Sequence, residues 1–193
     1  MNLKRRALAG AAGAAALLPS TLLHGQPVAM NFDPVPALPA QPTPGRPGDF
    51  DFLAGRWRVQ HLRRASVDSA WDRFDGEATG WTILGGAGSV EELRIPARGF
   101  SGMGLRLLDI QRSVWSDFWV NAKSGVLTTP GQEGSFEHGA GIFWSDDEED
   151  GRPVKYAGIW DRITPDSCRW RQVSSTDGGR TWTHHWLMDW RRA

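Results

Sequence analysis

TWTHHWLMDWR, residues 181–191, decides the fold class. In an extended chain successive side chains point to opposite faces. Trp182, His184, Trp186, Met188 and Trp190 then share one face. Thr181, Thr183, His185, Leu187, Asp189 and Arg191 share the other. A face of three Trp and a Met belongs against a core, so the stretch is predicted to be a half-buried β-strand. The Trp/Met face is expected to point inward and to carry His184 with it.

The same pattern extends back to Asp49. Runs rich in β-branched and aromatic residues alternate with Gly, Pro, Asp and Asn clusters, and no long stretch has helical periodicity. The runs lie near 56–64, 75–84, 88–95, 102–110, 114–121, 124–129, 134–145, 153–163, 168–175 and 181–191. Gly85-Gly86, Lys123-Ser124-Gly125, Asp146 to Gly151, Thr164-Pro165-Asp166 and Asp177-Gly178-Gly179 have hairpin chemistry. Short connections favour antiparallel neighbours. An all-β, up-and-down antiparallel barrel of about ten strands is therefore expected, because closure removes exposed edges. Its inward faces should include Trp57, Val59 and His61; Trp115, Asp117, Trp119 and Asn121; and Phe136, His138, Ala140, Ile142 and Trp144.

The chain has 193 residues, suited to one domain, with 40% hydrophobic and 23% charged residues. Eleven Trp stand against one Tyr. Formal net charge is zero, and once Lys4, Arg5 and Arg6 are set aside, 19 bases face 22 acids. That balance argues against nucleic-acid binding through a basic field. The single cysteine, Cys168, rules out an intrachain disulfide and a Cys-rich zinc site.

Residues 1–30 read as an export signal. Lys4-Arg5-Arg6 form a basic start, and Ala7–Leu18 an uncharged stretch too short to span a bilayer. The Arg5-Arg6 pair, with Leu8 close behind, resembles a twin-arginine signal. The expected address is the periplasm or the outside of the cell, with no membrane span in the mature chain. Residues 31–48 read as a Pro-rich linker or strap, since Pro34, Pro36, Pro39, Pro42, Pro44 and Pro47 exclude helix and central strand. Residues 49–193 are the expected barrel domain, as a monomer or homodimer.

FDFLAGRW, residues 50–57, contains a Gly55-x-Trp57 pair that looks like the lipocalin and calycin start signature. The whole phrase, with the late segment 170–190, resembles a family of uncharacterised bacterial lipocalin-like proteins. The resemblance implies a calycin-type barrel with Trp57 closing one end. In outline the chain is also similar to nitrobindin-type barrels, which implies haem as a cofactor and His184 as the iron ligand. Ser175-Thr176-Asp177-Gly178-Gly179-Arg180-Thr181-Trp182 fits the Asp-box pattern S-x-D-x-G-x-T-W known from sialidases. A single copy in a chain too short for a propeller is read as a stabilised hairpin, with Asp177 accepting backbone N–H bonds.

Other candidates are sparse. Glu91 and Glu92 are adjacent in one strand, so one faces inward and needs a partner such as Arg106 or His61. His61, His138 and His184 would form a three-His zinc site only if three strands brought them together. Asp146–Asp150 lack the alternating spacing of a calcium loop and read as a solvated tip. No nucleophile-elbow signature is present. The leading expectation is an exported binding protein for a small apolar or aromatic molecule in a Trp-lined cavity. Trp57, Trp160, His184 and Trp186 form the expected wall, and Glu91 and Arg106 the polar anchors. The alternatives are a small-molecule lyase, isomerase or hydrolase using His184 and Glu91, and a barrel filled by its own Trp side chains.

Overall fold

The computed structural model describes residues 32–193, so the export-signal reading lies outside the described residues. Residues 32–34 belong to an amino-terminal unit, Met1–Pro34, and Val35–Ala193 form the second unit. Ten strands make up that second unit: β1 Gly55–Arg63, β2 Asp72–Ile83, β3 Gly88–Ile95, β4 Phe100–Asp109, β5 Val114–Asn121, β6 Gln132–Glu137, β7 Ala140–Glu149, β8 Arg152–Asp161, β9 Ser167–Ser175 and β10 Thr183–Arg192. Each pairs antiparallel with its sequence neighbours, and β1 pairs with β10, which closes an up-and-down barrel. No helix among the described residues is long and apolar enough to cross a membrane.

The strand count matches expectation, but two of the expected runs differ. Residues 124–129 form no strand, only an isolated bridge between Val120 and Leu127. The expected single run 134–145 is two strands. They meet at His138-Gly139, both at positive φ. The turn breaks the alternation. Phe136 and Phe143 therefore pack into the barrel core, while Ile142 and Trp144 join a separate cluster on the outer wall.

That outer cluster consists of Ile142, Ala157, Ile159 and Val173, covered by Val35, Leu38, Trp144 and Trp182. Residues 35–47 thus run as an irregular strap along the barrel wall. Thr43 N–H donates to Ser135 Oγ at 2.9 Å, and Gly45 N–H to the Ser113 carbonyl at 2.7 Å. Extended, proline-rich chain cannot bond to itself, so it takes partners from the barrel. The strap ends in a 3-10 turn, Asp51–Leu53, that carries Phe50 and Leu53 into the core.

Gly55 shows why the chain starts the barrel as it does. Its φ is +116°, open to glycine but costly for other residues, and a Cβ there would collide with Arg192 Nη1. Arg192 lies with Cζ 4.0 Å from the centroid of the Trp57 ring and also donates to the carbonyls of Phe52 and Ala54. The Trp57 indole N–H donates to the Leu53 carbonyl at 2.9 Å. The Asp-box is likewise a local device. Asp177 Oδ1 accepts the backbone N–H groups of Arg180 and Thr181 at 3.0 and 2.9 Å, and Thr181 Oγ1 donates to Oδ2 at 2.7 Å. These bonds hold the Asp177 carboxyl far below the usual range.

Candidate functional site

The barrel interior divides into two halves of different character. The lower half, where β1 begins and β10 ends, is filled by Phe50, Leu53, Trp57, Trp115, Phe143, Trp160 and Trp190, each at most 2% exposed. Phe50 meets Trp115 and Phe136 edge to face at 5.0 and 4.9 Å. Trp190 meets Trp57 and Trp160 in the same manner, at 6.0 and 5.4 Å. Such contacts set the electropositive edge of one ring against the face of the next. The buried indole N–H groups of Trp160 and Trp190 have no hydrogen-bond partner among the described residues.

Above this plug lies a buried ionic triad. Glu91 on β3 and Arg106 on β4 are each 3% exposed and form an ion pair. Arg106 Nε also reaches Asp117 Oδ1 on β5 at 3.1 Å. Register brings the three together: Glu91 stands opposite Gly104, and Arg106 opposite Asp117. Gly104 leaves the room the pair needs, since a Cβ there would fall 2.6 Å from Glu91 Oε1 and 2.7 Å from Arg106 Nη2. The Arg106 guanidinium also lies 5.5 Å from the ring centroids of both Phe50 and Trp160. Burial pushes the Asp117 carboxyl up, with Arg106 opposing the shift.

The upper half is lined differently. Trp119, Trp170 and Trp186 pack against the interior core but remain half-buried. Trp119 packs against Gly102, whose missing side chain leaves space for its ring. On the opposite wall His61 and Phe74 stack at 4.6 Å with 8° between planes, and Trp186 leans on His61 at 5.6 Å. Arg98 caps the Phe74 face at 3.5 Å, and Arg63 caps Trp186 at 4.7 Å.

His61 has a defined protonation state. The Trp186 N–H donates to its Nδ1 at 3.1 Å, so Nδ1 must be unprotonated and Nε2 carries the hydrogen. Burial, then the positive charge of Arg98, lowers its pKa to about 4. The imidazole is neutral at pH 7, and its Nε2–H has no partner among the described residues.

The expected site residues fall in three places. Glu91 and Arg106 pair within the buried triad, and Trp186 packs against the interior core in the upper half. Trp57 and Trp160 do not line open space; they are built into the plug, 1% exposed. His184 does not face the lumen at all. A register shift between His184 and Trp186 inserts an extra residue, so His184 pairs with Val173 of the outer cluster while Trp186, Met188 and Trp190 face inward. Bulges re-aim side chains in this way. His184 Nε2 lies 3.2 Å from Arg171 Nη1, and Asp161 binds both Arg169, at 2.7 and 2.9 Å, and Arg171, at 2.6 Å. Arginine only donates, so the His184 Nε2 lone pair is taken, and its pKa falls to about 4 through burial and Arg171. An iron ligand or general base in the lumen does not fit a His184 so placed. His185, at the bulge, meets Ser174 Oγ at 2.7 Å. His61, His138 and His184 sit in the mouth, in the β6–β7 turn and on the outer wall. Among the described residues no three His, Cys, Asp or Glu side chains converge on a metal position.

Asp117 is the triad member that sequence places on an inward face without singling it out as a site residue. Its signal was there: a carboxylate on an inward face between Trp115 and Trp119.

No family model and no curated protein matches the chain. Among solved structures it is similar to a DUF3598-family protein of unknown function from Nostoc punctiforme, at 15% identity and a TM-score of 0.42. That match covers 81% of this chain and 53% of the other, so the chain spans about half the length of that protein. It is also similar to Rv2717c from M. tuberculosis, at 12% identity and a TM-score of 0.45, covering 74% of this chain and 93% of that one.

Proposed function

We propose that this chain is an exported, lipocalin-like binding protein whose upper lumen holds a small molecule with an aromatic or apolar body. The observation that carries the reading is the contrast inside one barrel. Seven large side chains of the lower half are each at most 2% exposed, whereas Trp119, Trp170 and Trp186 stay partly exposed above a polar floor. Half-open apolar walls with a few convergent polar groups are the usual make-up of a ligand site. Trp119 and Trp186 would sandwich the body of the ligand, with Met188 and Leu93 behind. The Arg106 triad would orient its polar end.

Export rests on the basic start Lys4-Arg5-Arg6 and the uncharged stretch that follows. The test of binding is native mass spectrometry of the protein from its own host, followed by a thermal-shift screen of aromatic compounds. A mass excess lost on denaturation, or a melting temperature that rises with a compound, is the expected result. A bare chain whose melting temperature no compound moves overturns the reading. The same spectrum gives the mature amino terminus, and a full-length chain overturns export.

A further inference from the structure

Burying charge is costly unless it is balanced. The inward-facing charged side chains of β3, β4 and β5 are Glu91, Arg106 and Asp117, two carboxylates against one guanidinium. Arginine stays protonated, so the second carboxylate of the triad needs one further positive charge, either a proton or the cation of a ligand. The two carboxylates are not equivalent. The Glu91 side chain is 4% exposed and held by Arg106 from within, whereas that of Asp117 is 15% exposed. Asp117 Oδ1 meets Arg106, and its other oxygen accepts no hydrogen bond from a described residue. Asp117 stands between Trp115 of the plug and Trp119 of the mouth, with the uncharged Gln132 opposite on β6. The rim arginines do not supply the missing charge: Arg98 pairs with Asp72 at 2.7 Å, and the Arg63 and Arg98 planes stack on Trp186 and Phe74.

From this imbalance, and resting on the upper lumen being a ligand site, we infer that its ligand is an arylalkylamine: an aromatic body held by Trp119 and Trp186, with a protonated amine on the free oxygen of Asp117. A cation there completes the triad's charge, and the neighbouring indole faces add cation–π attraction. A carboxylate ligand would meet two acids and is disfavoured.

The test is calorimetric titration of the full chain at pH 7 with 2-phenylethylamine, 2-phenylethanol and 3-phenylpropionate. The amine is expected to bind at least tenfold more tightly than the alcohol, and the acid most weakly. Asp117→Asn should erase the amine's advantage over the alcohol. Equal affinity for amine and alcohol, or an advantage that survives Asp117→Asn, overturns this inference while leaving the binding reading standing. Binding of none of the three, in a barrel that no aromatic compound stabilises, overturns both. Should Asp117→Asn fail to fold, Asp117→Ser takes its place, and the wild-type preference alone still decides.

Discussion

Both halves of the barrel interior are walled by aromatic rings, yet they do opposite things with them. In the lower half most rings meet each other edge to face, and Phe50, Trp57, Trp115, Phe143, Trp160 and Trp190 are each at most 2% exposed. In the upper half Trp119 packs on Gly102, and Trp186 packs on His61, Arg63 and Trp170, yet these Trp rings remain partly exposed. The number of Trp residues therefore does not mark a site. What distinguishes the upper half is that Trp119, Trp170 and Trp186 stay partly exposed above a polar floor.

Truncating the plug gives the largest expected effect. Trp57→Ala removes a fully buried ring and its bond to Leu53, so denaturant unfolding should show a loss of about 3–5 kcal/mol. Trp186→Ala should cost only about 1–2 kcal/mol while abolishing ligand-induced stabilisation. Equal stability losses would erase the contrast between the two halves.

Arg106→Met tests the floor that separates them. Removing one partner of a buried ion pair strands the other charges, so a loss of about 3–5 kcal/mol is expected. Asp117, already pushed up by burial, then binds a proton in the folded state more readily than in the unfolded state. The variant should therefore regain stability as pH falls and lose it as pH rises. A pH-independent loss would argue against carboxylates as its cause.

The mouth has the opposite acid response. His61 is held at about 4 in the folded protein against about 6.5 when unfolded, so the unfolded state binds more protons between those values. Its stability contribution is complete above pH 6.5 and is lost as pH falls toward 4, at most about 3 kcal/mol. His184 acts in the same direction from the outer wall. His61→Gln should flatten part of the acid limb in a pH series of unfolding curves, and an unchanged limb would contradict a neutral His61. The smallest effect is expected from Gly102→Ala. A methyl there drives into the Trp119 ring, for about 1 kcal/mol of stability, and should weaken binding by moving that ring.

The barrel was legible because period-two alternation and turn residues are local signals. The closure of β1 on β10 followed from having no better fate for two edges. The count of ten hid two compensating errors. A Lys-Ser-Gly turn led to an extra strand at 124–129, and His138-Gly139 was missed as a turn because histidine at positive φ has little sequence signature. The candidate site was less legible for the same kind of reason. Glu91 and Arg106 were paired correctly, since an inward carboxylate needs a cation. The bulge at His184 defeated strict alternation, and one inserted residue carried the most prominent histidine from lumen to outer wall. Nor does alternation reveal depth: Trp57, Trp160 and Trp186 look alike in sequence, and only their positions along the paired strands sort them into plug and mouth.

Hydroxyl-radical footprinting of the tryptophans, with and without the compound that most raises the melting temperature, tests the division of the lumen most directly. Trp119, Trp170 and Trp186 should oxidise in the free protein and be protected on binding, while Trp57, Trp115, Trp160 and Trp190 stay unreactive in both states. Oxidation of the plug tryptophans, or binding that leaves Trp119 and Trp186 as reactive as before, would contradict the account.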